Sequence, residues 1–289
     1  MRISLRLVIT LLIVAAAIAA GTWLWHYYLY TPWTRDARVR ADVITIAPDV
    51  AGHVETLAVA DNASVEAGDV LFTLNDARYR AAVDKAEAVV ADRQATLELR
   101  RHEEQRRSRL SERAISAENQ EIARIDTRVA AANLAQAQAD LEQARIDLRR
   151  TEVAAPVDGS VLNLHLAQGN YVNAGESVMA LVRDESYYVT GYFEETKLPR
   201  IEVGDPAAII LMSGDTVLSG HVVSIGRAIA DPNTAPNSQL LPQVEPTFSW
   251  VRLAQRIPVR IEFDSVPDDV LLSAGMTATV RIQDDTAER

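Results

Sequence analysis

Two segments of this chain are versions of one another, and a long insert of different character separates them. The first runs from Ala47 to Asp76 and the second from Ala155 to Arg183. Gly52 aligns with Gly159, Val54 with Val161, Leu57 with Leu164, Val65 with Val172, Gly68 with Gly175 and Leu74 with Leu181, all at one constant offset. Repeats constrain a fold more than any local pattern, because each copy must be one structural unit. Each copy has short alternating apolar runs broken by Gly, Asn and Asp, the pattern of strands joined by tight turns. The glycines are expected where the backbone needs positive φ. Neither copy can bury a core alone, but two can pack as a small β-sandwich.

The insert, Ala77 to Arg150, contains no Gly and no Pro and is rich in Ala, Glu, Gln, Leu and Arg, all good helix formers. Its second part carries a heptad through Ile122, Ile125, Val129, Ala132, Gln136, Ala139, Gln143 and Ile146, with another stripe at Leu134, Leu141 and Leu148. In its first part Val83, Ala86, Val90 and Leu97 keep the spacing before it fades into Arg and Glu. A break near Arg113 to Ala117, with Ile115 and the cap-forming Ser116 opening the second helix, predicts a coiled-coil hairpin. Two antiparallel helices of about 33 residues would reach roughly 50 Å.

The other parts follow from hydropathy. Leu7 to Trp25 is nineteen residues without a charge, about 28 Å as a helix and close to the hydrocarbon thickness of a bilayer. Arg2 and Arg6 precede it and no basic residue follows until Arg35. That asymmetry predicts a single inner-membrane span with its N-terminus in the cytoplasm. Trp23, Trp25, Tyr27, Tyr28, Tyr30 and Trp33 supply an interfacial aromatic cluster. A cleaved signal peptide ending near Ala17-Ile18-Ala19 is the alternative, and the length of the run favours a retained anchor. From Ser186 onward the pattern is strand-like: Tyr187 to Phe193, Ala207 to Met212, Thr216 to Ile225, Arg256 to Phe263 and Met276 to Ile282. These predict an antiparallel barrel, with a short helix at Glu194 to Arg200 and a loop at Asp231 to Pro246. The fold class is therefore α+β. Its parts are an anchor (1–30), a membrane-proximal strand segment (31–45), a split sandwich (46–76 and 151–184), a helical hairpin (77–150), a β-barrel (185–283) and a polar tail (284–289).

Chemistry-bearing motifs are scarce. There is no cysteine, which removes disulfides, thiolate metal sites and Cys nucleophiles. The net charge of −11 argues against nucleic acid. The five histidines, His26, His53, His102, His165 and His221, lack metal-ligand spacing. No nucleophile elbow, P-loop or dinucleotide fingerprint occurs. No catalytic, cofactor-binding or metal residue is nominated, and the chain is not expected to be an enzyme.

The order of anchor, half-motif, helical hairpin, half-motif and barrel resembles the HlyD-type membrane fusion proteins, or periplasmic adaptors, in which the half-motifs form a lipoyl-like domain. Within them, Thr34 to Arg38, Ala41 to Val43, Ile46 to Val50, Glu194 to Leu198 and Trp250 to Arg260 resemble the adaptors of p-hydroxybenzoic acid (aromatic carboxylic acid) efflux systems. In a lipoyl domain proper, a modified lysine sits between the halves; helices stand there in this chain, and Lys85 lies within one of them. The resemblance implies a docking protein in the inner membrane of a Gram-negative bacterium. One partner is an inner-membrane transporter, of aromatic acid exporter or major-facilitator type. Another is a TolC-like outer-membrane channel, and self-association as a hexamer is expected in the assembled pump. The implied channel-binding tip comprises Arg106, Leu110, Ile115 and Ser116, with the Leu-to-Ser spacing one residue shorter than in multidrug adaptors. A type I protein-secretion adaptor is the alternative, and a longer hairpin is usual there.

Overall fold

A computed structural model of the chain describes residues 10–22, 31–109, 117–229, 254–267 and 269–283. Residues 10–22 form a helix, α1. Among the described residues no helix is long and apolar enough to cross a membrane; the two ends of the expected span, with Trp23, Trp25, Tyr27, Tyr28 and Tyr30, lie outside them. The rest divides into two compact units, Val43–Asp184 and a second unit joining the N-terminal residues to Glu185–Arg289.

In the first unit the repeat is realised as two interleaved sheets. The strands from the first half are β2 (Val43–Ile46), β3 (Gly52–Leu57), β4 (Ser64–Val65) and β5 (Val70–Leu74). Those from the second are β6 (Glu152–Ala154), β7 (Gly159–Leu162), β8 (Tyr171–Val172) and β9 (Met179–Arg183). One sheet has the order β2-β9-β7-β4 and the other β6-β5-β3-β8. Each sheet therefore takes two strands from each half, and neither half has a sheet of its own. The pairing of β2 with β9 places the start of the sandwich at Val43 rather than at residue 46. Phe72, Leu71, Leu74, Val161 and Leu181 are fully buried between the sheets.

The backbone shows how closely the halves correspond. Val54 N–H donates to Asn170 O and, at the equivalent place, Val161 N–H donates to Ala63 O. Asn62 N–H donates to Val161 O, and its counterpart Gly169 N–H donates to Val54 O. Gly68 N–H donates to Ala155 O and Gly175 N–H to Pro48 O, both at 2.8 Å. Every one of these bonds crosses from one half to the other. The two turns are also built alike: Asp69 Oδ2 accepts from Glu66 N–H at 2.9 Å, and Glu176 Oε2 accepts from Asn173 N–H at 3.1 Å. The Asn173 side chain donates to the same carboxylate, and together the Asn173 bonds hold Glu176 below the usual carboxylate range. Their stabilisation is present above that range and is lost as pH falls through the depressed value.

The expected role of the glycines holds for one pair and not for the other. Gly68 (φ +95°) and Gly175 (φ +77°) occupy the left-handed region. Gly159 has ordinary φ and is needed for space, since a Cβ there would lie 2.3 Å from Val182 O. The Val182 carbonyl is backbone, held in the sheet, so it cannot give way to a Cβ.

The second unit is a closed antiparallel barrel of order β1-β10-β13-β12-β11-β14. Its strands are β1 (Trp33–Arg40), β10 (Tyr188–Glu194), β11 (Pro206–Leu211), β12 (Val217–Ile225), β13 (Arg256–Phe263) and β14 (Thr277–Ile282). The five C-terminal strands agree with the sequence reading to within a residue or so. The sixth, β1, falls in the segment read as a membrane-proximal strand but not assigned to the barrel; it pairs with both β10 and β14. Without it the sheet would keep two open edges. Phe193, Ile209, Leu218, Ile261 and Ile282 fill the interior. The helix expected at Glu194 to Arg200 is only a 3-10 turn at Leu198–Arg200.

Gly159→Ala is expected to lower stability by about 3 kcal/mol through backbone overpacking, and Gly68→Ala by about 1 kcal/mol through its φ alone. Thermal melts of the full chain in detergent, followed by circular dichroism, check that order.

Candidate partner-docking hairpin

The insert forms α2 (Ala77–Ser108) and α3 (Ala117–Arg149). Their base is fixed to the sandwich on both sides. Tyr79 Oη donates to Ala51 O at 2.7 Å, and the Arg78 guanidinium donates to the same carbonyl. Arg150 reaches Asp49 at 3.3 Å. Leu74 N–H donates to the carbonyl of buried Thr151, whose hydroxyl donates to Leu148 O at the end of α3. Chain exit and return are thus held beside one another by β5 and β6.

The helices run antiparallel, as three contacts at different levels show. Arg145 pairs with Glu87 at 2.7 Å near the base, Thr127 Oγ1 donates to Arg100 O at 3.3 Å midway, and Arg107 donates to Asn119 O at 3.4 Å near the tip. A short threonine side chain that reaches the opposite backbone requires close approach of the two axes.

That closeness corrects the reading of the seam. The buried residues of α3 are Ala123, Ala130, Ala137 and Leu141, with Leu134, Ala144 and Leu148 partly buried. Ile122, Ile125 and Val129, expected inside, are 43%, 44% and 54% exposed, and Ala132, Gln136, Ala139 and Gln143 lie on the same outer face. Gln136 and Gln143 there bond to Asp140 and Asp147 one turn on. The second expected stripe, Leu134, Leu141 and Leu148, does lie on the covered side, whereas the main one is the outer face. The seam also carries an unbroken seven-residue recurrence, Ala123, Ala130, Ala137 and Ala144, of one small residue throughout. On α2 the expected stripe is right: Val83, Ala86 and Val90 are partly buried and Leu97 is buried. Beyond Leu97 the inner positions pass to Arg100, Glu103, Glu104 and Arg107, with Arg100 bonded to Glu103 at 2.9 Å.

Of the nominated tip residues, Arg106 is exposed in the last turn of α2, where a cation suits the helix C-terminus. Leu110, Ile115 and Ser116 lie outside the described residues. Arg109 is exposed beside Arg106, whereas Arg107 is turned toward α3. Three of the described histidines are hydrogen-bonded: His53 with Gly169 O, His165 with Asn163 O and His221 with Asp264. Among the described residues no group of three or more His, Cys, Asp or Glu could hold a metal ion. The hairpin offers helix surface and an arginine-bearing end, which are means of docking.

Comparison with known proteins identifies where such a hairpin occurs. A family profile described as the alpha-helical hairpin domain of the pHBA AAEA subunit matches residues 77–149, and one described as the AAEA-like beta-barrel domain matches residues 186–283. The Escherichia coli K12 protein YdhJ is 43% identical over 273 residues, spanning 94% of this chain and 96% of that protein. The chain belongs to the HlyD-type membrane fusion protein family, close to the pHBA efflux adaptors. Solved structures agree in fold. The membrane fusion protein Spr0693 of Streptococcus pneumoniae superimposes with a TM-score of 0.65 at 17% identity, covering 88% of this chain and 99% of that one. A MacA-MexA chimera carrying the Pseudomonas aeruginosa MexA α-hairpin gives 0.61 at 20% identity, covering 88% and 82%. Membrane fusion proteins are non-enzymatic adaptors of efflux systems, and this chain is not an enzyme.

Lengthening Ala130 to Leu in this membrane fusion protein is expected to cost about 2 kcal/mol by forcing the helices apart. Val129→Leu, one residue away on the outer face, should stay within about 0.5 kcal/mol. Urea unfolding of the two full-length variants distinguishes the positions.

Proposed function

We propose that this chain is the periplasmic adaptor of a tripartite efflux pump, linking an inner-membrane transporter to a TolC-like outer-membrane channel. The observation that carries the proposal is the two-helix hairpin set between the halves of the sandwich, matched over its whole length to an efflux-adaptor hairpin. The aromatic-acid subtype rests on the same origin for both profiles: hairpin and barrel each match the pHBA adaptor subunit. Aromatic carboxylic acids, or drugs, are the cargo class. The transporter is of aromatic acid exporter or major-facilitator type.

A retained single span over Leu7 to Trp25 anchors the chain in the inner membrane of a Gram-negative bacterium, with the N-terminus cytoplasmic and the folded units periplasmic. Charge asymmetry and the helix at residues 10–22 support this topology. Arg106, Leu110, Ile115 and Ser116 form the end that meets the channel; an arginine there suits carbonyl and carboxylate groups on a channel rim. Self-association, to a hexamer in the assembled pump, uses the outward stripe of Ile122, Ile125 and Val129, apolar residues about half exposed in the single chain.

In living cells, a photoreactive residue at Leu110 is expected to capture an outer-membrane channel, with the transporter copurifying. Capture of neither, at normal expression, overturns the adaptor role. Deletion is expected to sensitise cells to aromatic carboxylic acids in growth assays. Replacing both Ile125 and Val129 by Asp should leave the helical signal of the chain unchanged while reducing its crosslinked oligomers.

A further inference from the structure

The chain is acidic overall, with a net charge of −11, yet one face of its barrel is basic. Ala37, Val39, Val189, Phe193, Val259 and Ile261 point into the barrel from β1, β10 and β13 and are fully buried. The alternate side chains of these strands therefore point out. Strand register sets them in rows. Arg40, Tyr188 and Glu262 form one row, and Arg38, Thr190 and Arg260 the next.

The cations of this face are laid against rings. Arg260 Cζ is 3.7 Å from the centre of the Tyr188 ring, and Arg40 donates to Tyr192 Oη at 3.2 Å. Arg35 and the nearly buried Lys197 approach the Trp33 ring at 5.4 and 5.2 Å. The carboxylates nearby are engaged by other cations: Asp36 with Arg256 at 2.6 Å, Glu262 with Arg260 at 3.3 Å, and Glu194 with Lys197 at 3.9 Å. Arg35, Arg38 and Arg40, all exposed on β1, have no carboxylate at ion-pair distance among the described residues.

We propose that this face of β1, β10 and β13 binds anionic phospholipid headgroups of the membrane in which the chain is anchored. The inference rests on the anchored topology given above. Trp33 is only eight residues beyond Trp25, the end of the charge-free run, so even a fully extended connection spans less than about 29 Å. The tether holds β1 near the headgroups. Guanidinium groups and amphipathic rings together suit that level. Each exposed cation near an anionic bilayer adds roughly five-fold to its attraction. The acidic remainder is repelled by the same surface, so the basic face also sets orientation.

The test uses the full chain in nanodiscs, either of phosphatidylcholine alone or of equal parts phosphatidylcholine and phosphatidylglycerol. Phenylglyoxal modification read by mass spectrometry reports guanidinium access. Arg35, Arg38 and Arg40 are expected to react several-fold more slowly in the anionic discs, with Arg101 on the hairpin unchanged and the difference removed by high salt. The triple variant R35Q/R38Q/R40Q should enter discs normally and retain several-fold less phosphatidylglycerol through purification in detergent. Equal rates in both discs overturn the proposal while leaving the anchor intact. Slowing that appears only on adding the transporter also overturns it, in favour of an acidic protein surface. A chain that does not enter discs at all defeats both this inference and the anchored topology.

Discussion

The exchange of strands between the two half-motifs is the constraint on which the first unit depends. Since each sheet needs strands from both halves, the chain must leave the sandwich after β5 and return at β6, its immediate neighbour. Whatever lies between must begin and end at one place. Closing so long an insert costs little more entropy than closing a shorter one, because the cost grows only with the logarithm of length. A pair of antiparallel helices meets the condition without further cost, since its two ends are adjacent by construction. The bonds from Tyr79 and Arg78 to Ala51 O, and from Arg150 to Asp49, then aim the pair.

Within the hairpin, small residues set the geometry. Alanine at every seventh position of α3 lets the axes approach until Thr127 touches the opposite backbone. The seam consequently buries little apolar area, and area is what the hydrophobic effect rewards. Helicity must come instead from intrinsic propensity, and the insert contains neither Gly nor Pro. The same economy explains the polar inner positions of α2 beyond Leu97. There the helices are held by hydrogen bonds such as Arg107 to Asn119 O, which are weak individually.

The sequence was most readable where a signal was both regular and repeated. The paired residues at constant offset announced the sandwich because equivalent positions are tied across the halves, as Gly68 is to Ala155 and Gly175 to Pro48. The absence of breakers bounded the hairpin to within a residue or two. Closure of the barrel by β1 was illegible for a physical reason: eight alternating residues announce a strand but carry no record of which edges it will join. The main stripe of α3 was misread because a seven-residue period recurs on both faces, through Ile122 to Gln143 and through Ala123 to Ala144, and period alone does not say which face is inside. The tip Leu110 to Ser116 is legible only as a likeness to other adaptors, since a docking contact is made with a surface that the chain does not contain.

The division of apolar residues in α3 also bears on what the hairpin is for. A helix pair that only needed to be stable would place its β-branched residues in the seam, where burial of each is worth about 2 kcal/mol. Here alanine occupies that place, while Ile122, Ile125 and Val129 stand outside. On the proposed reading, their half-exposed apolar area is available for association. In the single chain that outward stripe, 43–54% exposed, contributes less than it would in the seam. Beside another surface it would add apolar area without any change in the seam, so on the proposed reading folding and assembly draw on different residues of one helix. Substitutions can then weaken assembly without unfolding the hairpin, and the alanine seam can be disturbed without altering the outer face.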